Sequence, residues 1–172
     1  MTEEVKHLVL GSSEAEVEIE SYINLGCPYC TAYINAVDDL FQRYIDDGKV
    51  RHVIKHFDKT RSGLLKGTVA NAYLDVGEPE AAYENIKTLL NTREDWTQSF
   101  HHTLEKAAGE LGLHEQHEAG ARSVEILNET KERDIKVVPT VFVNGRRVDF
   151  DGNYEEDALV RSFKEIIDAA LI

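Results

Sequence analysis

Cysteine chemistry is concentrated in one place. Cys27 and Cys30 are the two cysteines of a 172-residue chain, three apart in the run Cys27-Pro28-Tyr29-Cys30. Placed at random, two cysteines in such a chain would take that spacing in about one case in ninety. Three residues span nearly one helical turn, which brings two sulfurs within reach of disulfide geometry. If the pair opens a helix, the unpaired amides and the positive end of the helix dipole favour the thiolate of the first cysteine. Pro28 suits a first-turn position, since it lacks only an N–H that the helix would leave unpaired. Cys27 is then expected to attack a disulfide, and Cys30, deeper in the helix, to resolve the mixed intermediate. A structural disulfide is the plain alternative, although a loop with two intervening residues removes little entropy from the unfolded chain.

The elements that must hold this pair follow from the hydrophobic period. Glu14, Glu16, Glu18 and Glu20 alternate with Ala15, Val17, Ile19 and Ser21, a period of two that predicts a strand over 14–23 running into Cys27. Residues 7–10, closed by Gly11-Ser12-Ser13, suggest a short partner strand. From Pro28 the period becomes helical through Ile34, Val37, Leu40, Phe41, Tyr44 and Ile45, with a stop at Asp47-Gly48. Val50–Phe57 reads as a second strand, and a right-handed crossover places it parallel to the first. Helical spacing fills Leu64–Val76, Ala81–Leu90, Trp96–Leu111 and Ala119–Leu127. Strand character returns over Val137–Val143. Asn144-Gly145 then signals a tight hairpin, because both residues tolerate positive φ, and Arg146–Phe150 is expected to return antiparallel. Glu155–Ile172 closes the chain as an amphipathic helix. The sum is an α/β architecture, a mixed sheet flanked by helices.

Pro139 interrupts an otherwise strong β run, Val137-Val138-Pro139-Thr140-Val141-Phe142-Val143. A cis peptide at the strand entrance would resolve the conflict. A C-P-Y-C motif after an amphipathic strand, with Val-Pro-Thr before an Asn-Gly hairpin, resembles the thioredoxin fold. The helical block between them is similar to the insertion of the DsbA-like thiol–disulfide oxidoreductase family. C-P-Y-C is also carried by glutaredoxins, and the insertion and length separate this chain from them. The resemblance implies a thioredoxin-like unit over residues 1–61 and 131–172 and a helical insertion over 62–130. It implies that Pro139 is cis and faces Cys27 and Cys30, that Val138 offers its backbone to an extended substrate, and that apolar residues around Cys27 and Pro139 form the groove. Pro28, Tyr29, Val138 and Pro139 are thus the residues expected to shape the site.

Two departures from the family matter. A buried acid often stands six residues before the first cysteine, as proton acceptor for the second; here that position is Ser21, while Glu20 points the opposite way. Proton transfer at Cys30 then needs another route, water or Lys55 on the neighbouring strand. The dipeptide Pro-Tyr also lacks the histidine that stabilises the thiolate in strongly oxidising relatives. The expected potential lies between thioredoxin and the strongest oxidants, giving a reductase or exchange catalyst.

Net charge is −13, from 19 basic and 32 acidic residues, a field that repels phosphate backbones and anionic membranes. Nucleic-acid partners and membrane insertion are not expected; protein or low-molecular-weight thiols and a redox partner are. Met1-Thr2-Glu3-Glu4-Val5-Lys6 lacks the pattern of a secretory signal, so the expected compartment is the cytoplasm, where many relatives do not act. His114 and His117 with the two cysteines form a conceivable metal set, but their His-x-x-His spacing is tighter than usual, and no metal or organic cofactor is expected. Solvated helix positions are the simpler reading of His101, His102, His114 and His117, and packing or surface positions that of His52 and His56. Trp96 is expected in the core. The same cysteines leave two further readings open, a metal or iron–sulfur cluster carrier and a glutathione-linked transferase.

Overall fold

The computed structural model describes residues 4–172. Met1, Thr2 and Glu3, which head the expected first unit and the signal reading, lie outside the described residues. The sheet contains β1 (Leu8–Leu10), β2 (Val17–Ile23), β3 (Val50–His56), β4 (Thr140–Val143) and β5 (Arg146–Arg147), in the spatial order β1-β3-β2-β4-β5. β2 and β3 run parallel, joined through α1 (Pro28–Asp46), while the other neighbours pair antiparallel. Between β3 and β4 the helices are α2 (Ser62–Asn71), α3 (Pro79–Asn91), α4 (Arg93–Trp96), α5 (Phe100–Leu104) and α6 (Ala119–Glu132). α7 (Glu156–Ala170) closes the fold against α1.

The two faces of the sheet are covered differently. Residues of odd number on β2 and of even number on β3 meet α1 and α7, where Tyr33, Phe41 and Phe163 cross edge-on or tilted with centroids 5.4–6.3 Å apart. The other face carries Tyr22 and Phe142 beneath Ile126 of α6 and Ile135. Glu18 and Glu20 also lie on this second face. Glu18 accepts from Arg51 at 3.0 Å, and Glu20 accepts from Lys55 at 3.1 Å and from both terminal nitrogens of Arg133 at 3.0 and 3.1 Å. Cross-strand and helix cations therefore balance these two carboxylates, whereas Glu14 and Glu16 precede the strand and are exposed.

Several boundaries differ from expectation, each for a local reason. β2 starts at Val17, because the chain turns at Ser12–Ala15, where the Ala15 N–H donates to the Ser12 carbonyl. β4 starts at Thr140 and not at Val137: Thr140 Oγ1 donates to the Val137 carbonyl at 2.7 Å across Pro139, which has no N–H to give a ladder. β5 is two residues long, because past Val148 the chain leaves the edge and takes Phe150 into contact with Tyr33 and Phe163. The expected helix over 96–111 is split. Ser99 caps α5 by accepting from the His102 N–H, and α5 runs on into a π-helical turn over Glu105–Glu110. α2 ends at Asn71, short of Val76, in a series of tight turns. Trp96 is buried, with its ring N–H donating to the Leu89 carbonyl at 2.8 Å.

Candidate functional site

β2 delivers the chain to a tight loop, Asn24-Leu25-Gly26, that ends at Cys27. Each backbone N–H of the loop has a partner. Asn24 Oδ1 accepts from the Gly26 N–H at 2.8 Å, and Asn24 Nδ2 donates to the Phe57 carbonyl at 3.0 Å. His56 Nε2 accepts from the Leu25 N–H at 3.0 Å, and its Nδ1 faces Asp58 Oδ1 at 2.7 Å, so the ring proton sits on Nδ1. Against the burial that would raise it, the His56 hydrogen bond holds the Asp58 carboxyl below its usual range. His56 is thus buried and positions the loop, and His52 is buried too, so of the two expected places, packing and surface, both histidines take packing.

Cys27 precedes the first helical residue, Pro28, and Cys30 lies in the first turn of α1. Both thiols are free and buried, Cys27 at 6% exposure and Cys30 at 0%. Cys30, within the first turn of the helix, is the more deeply enclosed of the two. The Cys30 thiol is the largest cause drawing Cys27 down to about 6; the amides of Cys30 and Tyr29 and the charge of Arg93 add to it against desolvation. Burial first, then the neighbouring Cys27, pushes Cys30 well above the ordinary thiol value. The backbone N–H of Asn24 points at Cys30 Sγ at 3.5 Å. At neutral pH the arrangement offers one thiolate outward and keeps one thiol protonated behind it.

The segment before β4 completes the mouth. The Val138–Pro139 peptide is cis, both residues are buried, and the Val138 carbonyl lies 3.6 Å from Cys27 Sγ as an acceptor. Pro28 and Tyr29 are exposed, Tyr29 at 57%. Tyr29 packs on Tyr154 with centroids 4.9 Å apart, and Tyr154 stacks on Phe150 at 5.3 Å. Pro28 and Tyr29 follow Cys27 directly in the chain, and Val138, next to Pro139, brings its carbonyl to the Cys27 sulfur.

The route through Lys55 fails. Lys55 does not reach Cys30. It is one residue out of phase with His52, Ile54 and His56, and its ammonium sits between Glu20 and Glu129 on the far face. Ser21 does lie on the α1 face, where its hydroxyl bridges Tyr33 Oη at 2.8 Å and His52 Nε2 at 2.7 Å. Burial drives His52 down to about 3. An imidazole so hard to protonate cannot hold the proton of a thiol whose own value lies above 9. His114 and His117 are exposed between Leu111 and α6, far in sequence from the cysteines and not buried with them. Among the described residues no three His, Cys, Asp or Glu side chains are grouped to hold a metal.

Residues missed at the sequence level are Asn24, His56 as a loop anchor, Lys59, Arg93 and Tyr154. All except His56 lie outside regular strands or at the start of a one-turn helix, where periodicity says nothing; the turn-forming Asn24 and Gly26 directly before Cys27 are the one available cue.

The comparisons with known proteins agree with this geometry. The family model Thioredoxin_4, described as Thioredoxin, matches residues 3–169. A solved structure from Enterococcus faecalis V583, described as a conserved protein of unknown function, is 29% identical with a TM-score of 0.80, covering 90% of this chain and 89% of that one. BdbD from Bacillus subtilis (16% identical, TM-score 0.72, 96% and 92% coverage) shares the fold. So does alpha-DsbA1 from Wolbachia pipientis (17%, TM-score 0.70, 96% and 90%). A Rickettsia prowazekii protein named as a "Putative protein-disulfide oxidoreductase" is 28% identical over 93 residues, which are 54% of this chain and 33% of that protein. The chain thus spans about a third of the length of the curated relatives it matches. A parallel β2–α1–β3 unit with the dithiol at the helix start, a helical block after β3 and the matched model over residues 3–169 lead to one assignment: the chain belongs to the thioredoxin family, with a DsbA-like fold.

Proposed function

We propose that the chain is a protein-disulfide oxidoreductase that catalyses dithiol–disulfide exchange, with Cys27 as nucleophile and Cys30 as resolving thiol. The observation that carries this reading is the asymmetry of the two sulfurs at one helix start, Cys27 lowered to about 6 and Cys30 raised. The Cys27 thiolate attacks one sulfur of a substrate disulfide; that S–S bond breaks and a substrate thiolate leaves. Cys30 then gives up its proton and attacks the Cys27 sulfur, releasing the second substrate thiol. Two electrons pass to the substrate, and a Cys27–Cys30 disulfide remains. No metal or organic group takes part in these steps. The cis Val138–Pro139 segment faces the incoming disulfide, and the Val138 backbone pairs with an extended substrate.

The same proposal includes protein or low-molecular-weight disulfides as substrates, and a separate redox partner that restores the dithiol. It also includes a cytoplasmic setting, which fractionation against compartment markers tests. Without a histidine between the cysteines, the potential falls between thioredoxin and the strong oxidants, and equilibration with glutathione measures it. Insulin reduction is the direct assay. Cys27→Ser is expected to abolish it, and Cys30→Ser to trap a mixed disulfide on Cys27; full activity in the Cys27 variant would refute the mechanism. The rate should rise with pH as the thiolate forms, reach half its plateau near pH 6 and flatten above it.

A further inference from the structure

The inference concerns which disulfides the site prefers, and it rests on the exchange reading above. The chain as a whole carries −13. Two charged side chains whose fields reach the sulfurs, Arg93 and Lys59, have the opposite sign, and the carboxylate close to the same loop, Asp58, is already paired with His56 at 2.7 Å. Arg93, at the start of α4, lines a cleft of about 300 Å³ that opens beside the cysteine motif, with Pro28 and Thr31 on its other wall. Thr31 Oγ1 ties that wall to the insertion by donating to the Leu90 carbonyl at 3.2 Å. Arg93 is half-buried, and its field reaches Cys27. Glu94 and Asp95 line the same cleft but are exposed, where water screens them.

A second cation comes from a different loop. Lys59 Nζ donates to the Lys136 carbonyl at 2.6 Å, two residues before Val138, whose own carbonyl touches Cys27. Lys59 also follows Phe57, whose carbonyl is held by Asn24, the residue whose N–H points at Cys30. Lys59 is therefore fixed between the two segments that enclose the dithiol, and both cysteines lie within its field. Arg61 adds positive charge next to it.

We propose that Arg93 and Lys59 select disulfides flanked by carboxylates, drawing an acidic substrate to Cys27 against the negative field of the rest of the protein. The two cations stabilise the negative charge of the approaching flank at the moment of attack. The reaction itself is unchanged: reduced protein plus disulfide gives the Cys27–Cys30 disulfide and two substrate thiols.

The test compares exchange rates of the reduced protein with glutathione disulfide (anionic), 2-hydroxyethyl disulfide (neutral) and cystamine (cationic). The same Cys27 attacks all three, so any change in its thiolate fraction cancels in the ratio of rates. Arg93→Gln and Lys59→Gln are each expected to lower the anionic-to-cationic ratio about three- to tenfold. Arg93→Lys should keep it, and about 0.5 M salt should erase most of the wild-type selection. A ratio unmoved by both Gln variants, or by salt, would overturn the proposal. Exchange with the neutral disulfide, and its loss in Cys27→Ser, reports on the underlying activity alone; no exchange with any of the three would sink both readings. Two cystine peptides, one flanked by aspartates and one by lysines, repeat the ratio for a protein-like substrate. Selection in the peptides assigns the cations to acidic protein segments, and selection confined to glutathione disulfide assigns them to small thiols.

Discussion

The two faces of β2 solve the burial of polar groups in opposite ways. Toward α1 and α7 the strand presents Ile19, Ser21 and Ile23, and the polar groups there stay neutral: a hydroxyl, a phenol and an imidazole in one hydrogen-bonded line. Toward α6 it presents Glu18, Glu20 and Tyr22, and there the two carboxylates are paired with cations. There, against the burial that would raise it, Arg133 and Lys55 hold Glu20 below the ordinary carboxylate range. The neutral face is the one that lies under the cysteine helix. The contrast is that the hydrogen-bonded line of Ser21, Tyr33 and His52 under the cysteine helix contains no ion pair, whereas the carboxylate nearest the cysteine loop, Asp58, is paired with His56. Arg93 and Lys59 stand at the rim of the site, where charge can be screened by salt.

Four substitutions break or sharpen this contrast. Phe163→Ala should cost most, about 3–5 kcal/mol, because the ring is fully buried among Tyr33, Phe41 and Phe150 and leaves a cavity on the dry face. Denaturant unfolding measures it, and a loss below about 1 kcal/mol would mean that face is not a packed core.

His52 sets the acid response of the same face. Its folded value of about 3 lies below the unfolded 6.5, so the unfolded chain binds the extra proton between those limits. Its contribution is complete above about pH 6.5 and fades as pH falls, a loss of about 4 kcal/mol by pH 3.5. The difference in stability between wild type and His52→Gln, followed from pH 7 to 3.5, should show that slope; a flat difference would mean that His52 charges in the folded protein.

On the ionic face, Lys55→Met should cost about 2–3 kcal/mol, less than for a fully enclosed pair, since Arg133 still serves Glu20 and Glu129. Ser21→Ala should cost least, about 1–2 kcal/mol, from leaving Tyr33 Oη and His52 Nε2 without their shared partner. If Ser21→Ala proved more damaging than Lys55→Met, the order of the two faces would be reversed.

What the sequence discloses and what it hides divides along physical lines. The dithiol, its helix start at Pro28, the parallel β2–α1–β3 unit and the α/β class all follow from spacing and from the switch of period at Cys27. The placement of Lys55 is legible as well: strict alternation on β3 sends it away from His52 and His56, and so away from Cys30. The partners of Glu20 were harder, because Arg133 comes from beyond α6, over a hundred residues later, and only the packing of α6 on the sheet brings it there. Lys59, Arg93 and Tyr154 sit where no repeat exists to be read. Their approach to the cysteines is a product of loop closure over the finished core.

One glycine ties these regions together. Gly67, in the second turn of α2, is buried so closely against the loop before Cys27 that an added β-carbon would come within 2.6 Å of the Gly26 nitrogen and collide with the Asn24 side chain. For protein engineering this makes the cysteine loop a poor graft. Moved to a host sheet without a bare helical backbone to lie on, Asn24 could not keep the posture that holds Gly26 and faces Cys30. Moved together with α2, it carries its mould with it. The smallest transferable unit of this cysteine site is therefore not four residues but a loop and the helix that was cut to receive it.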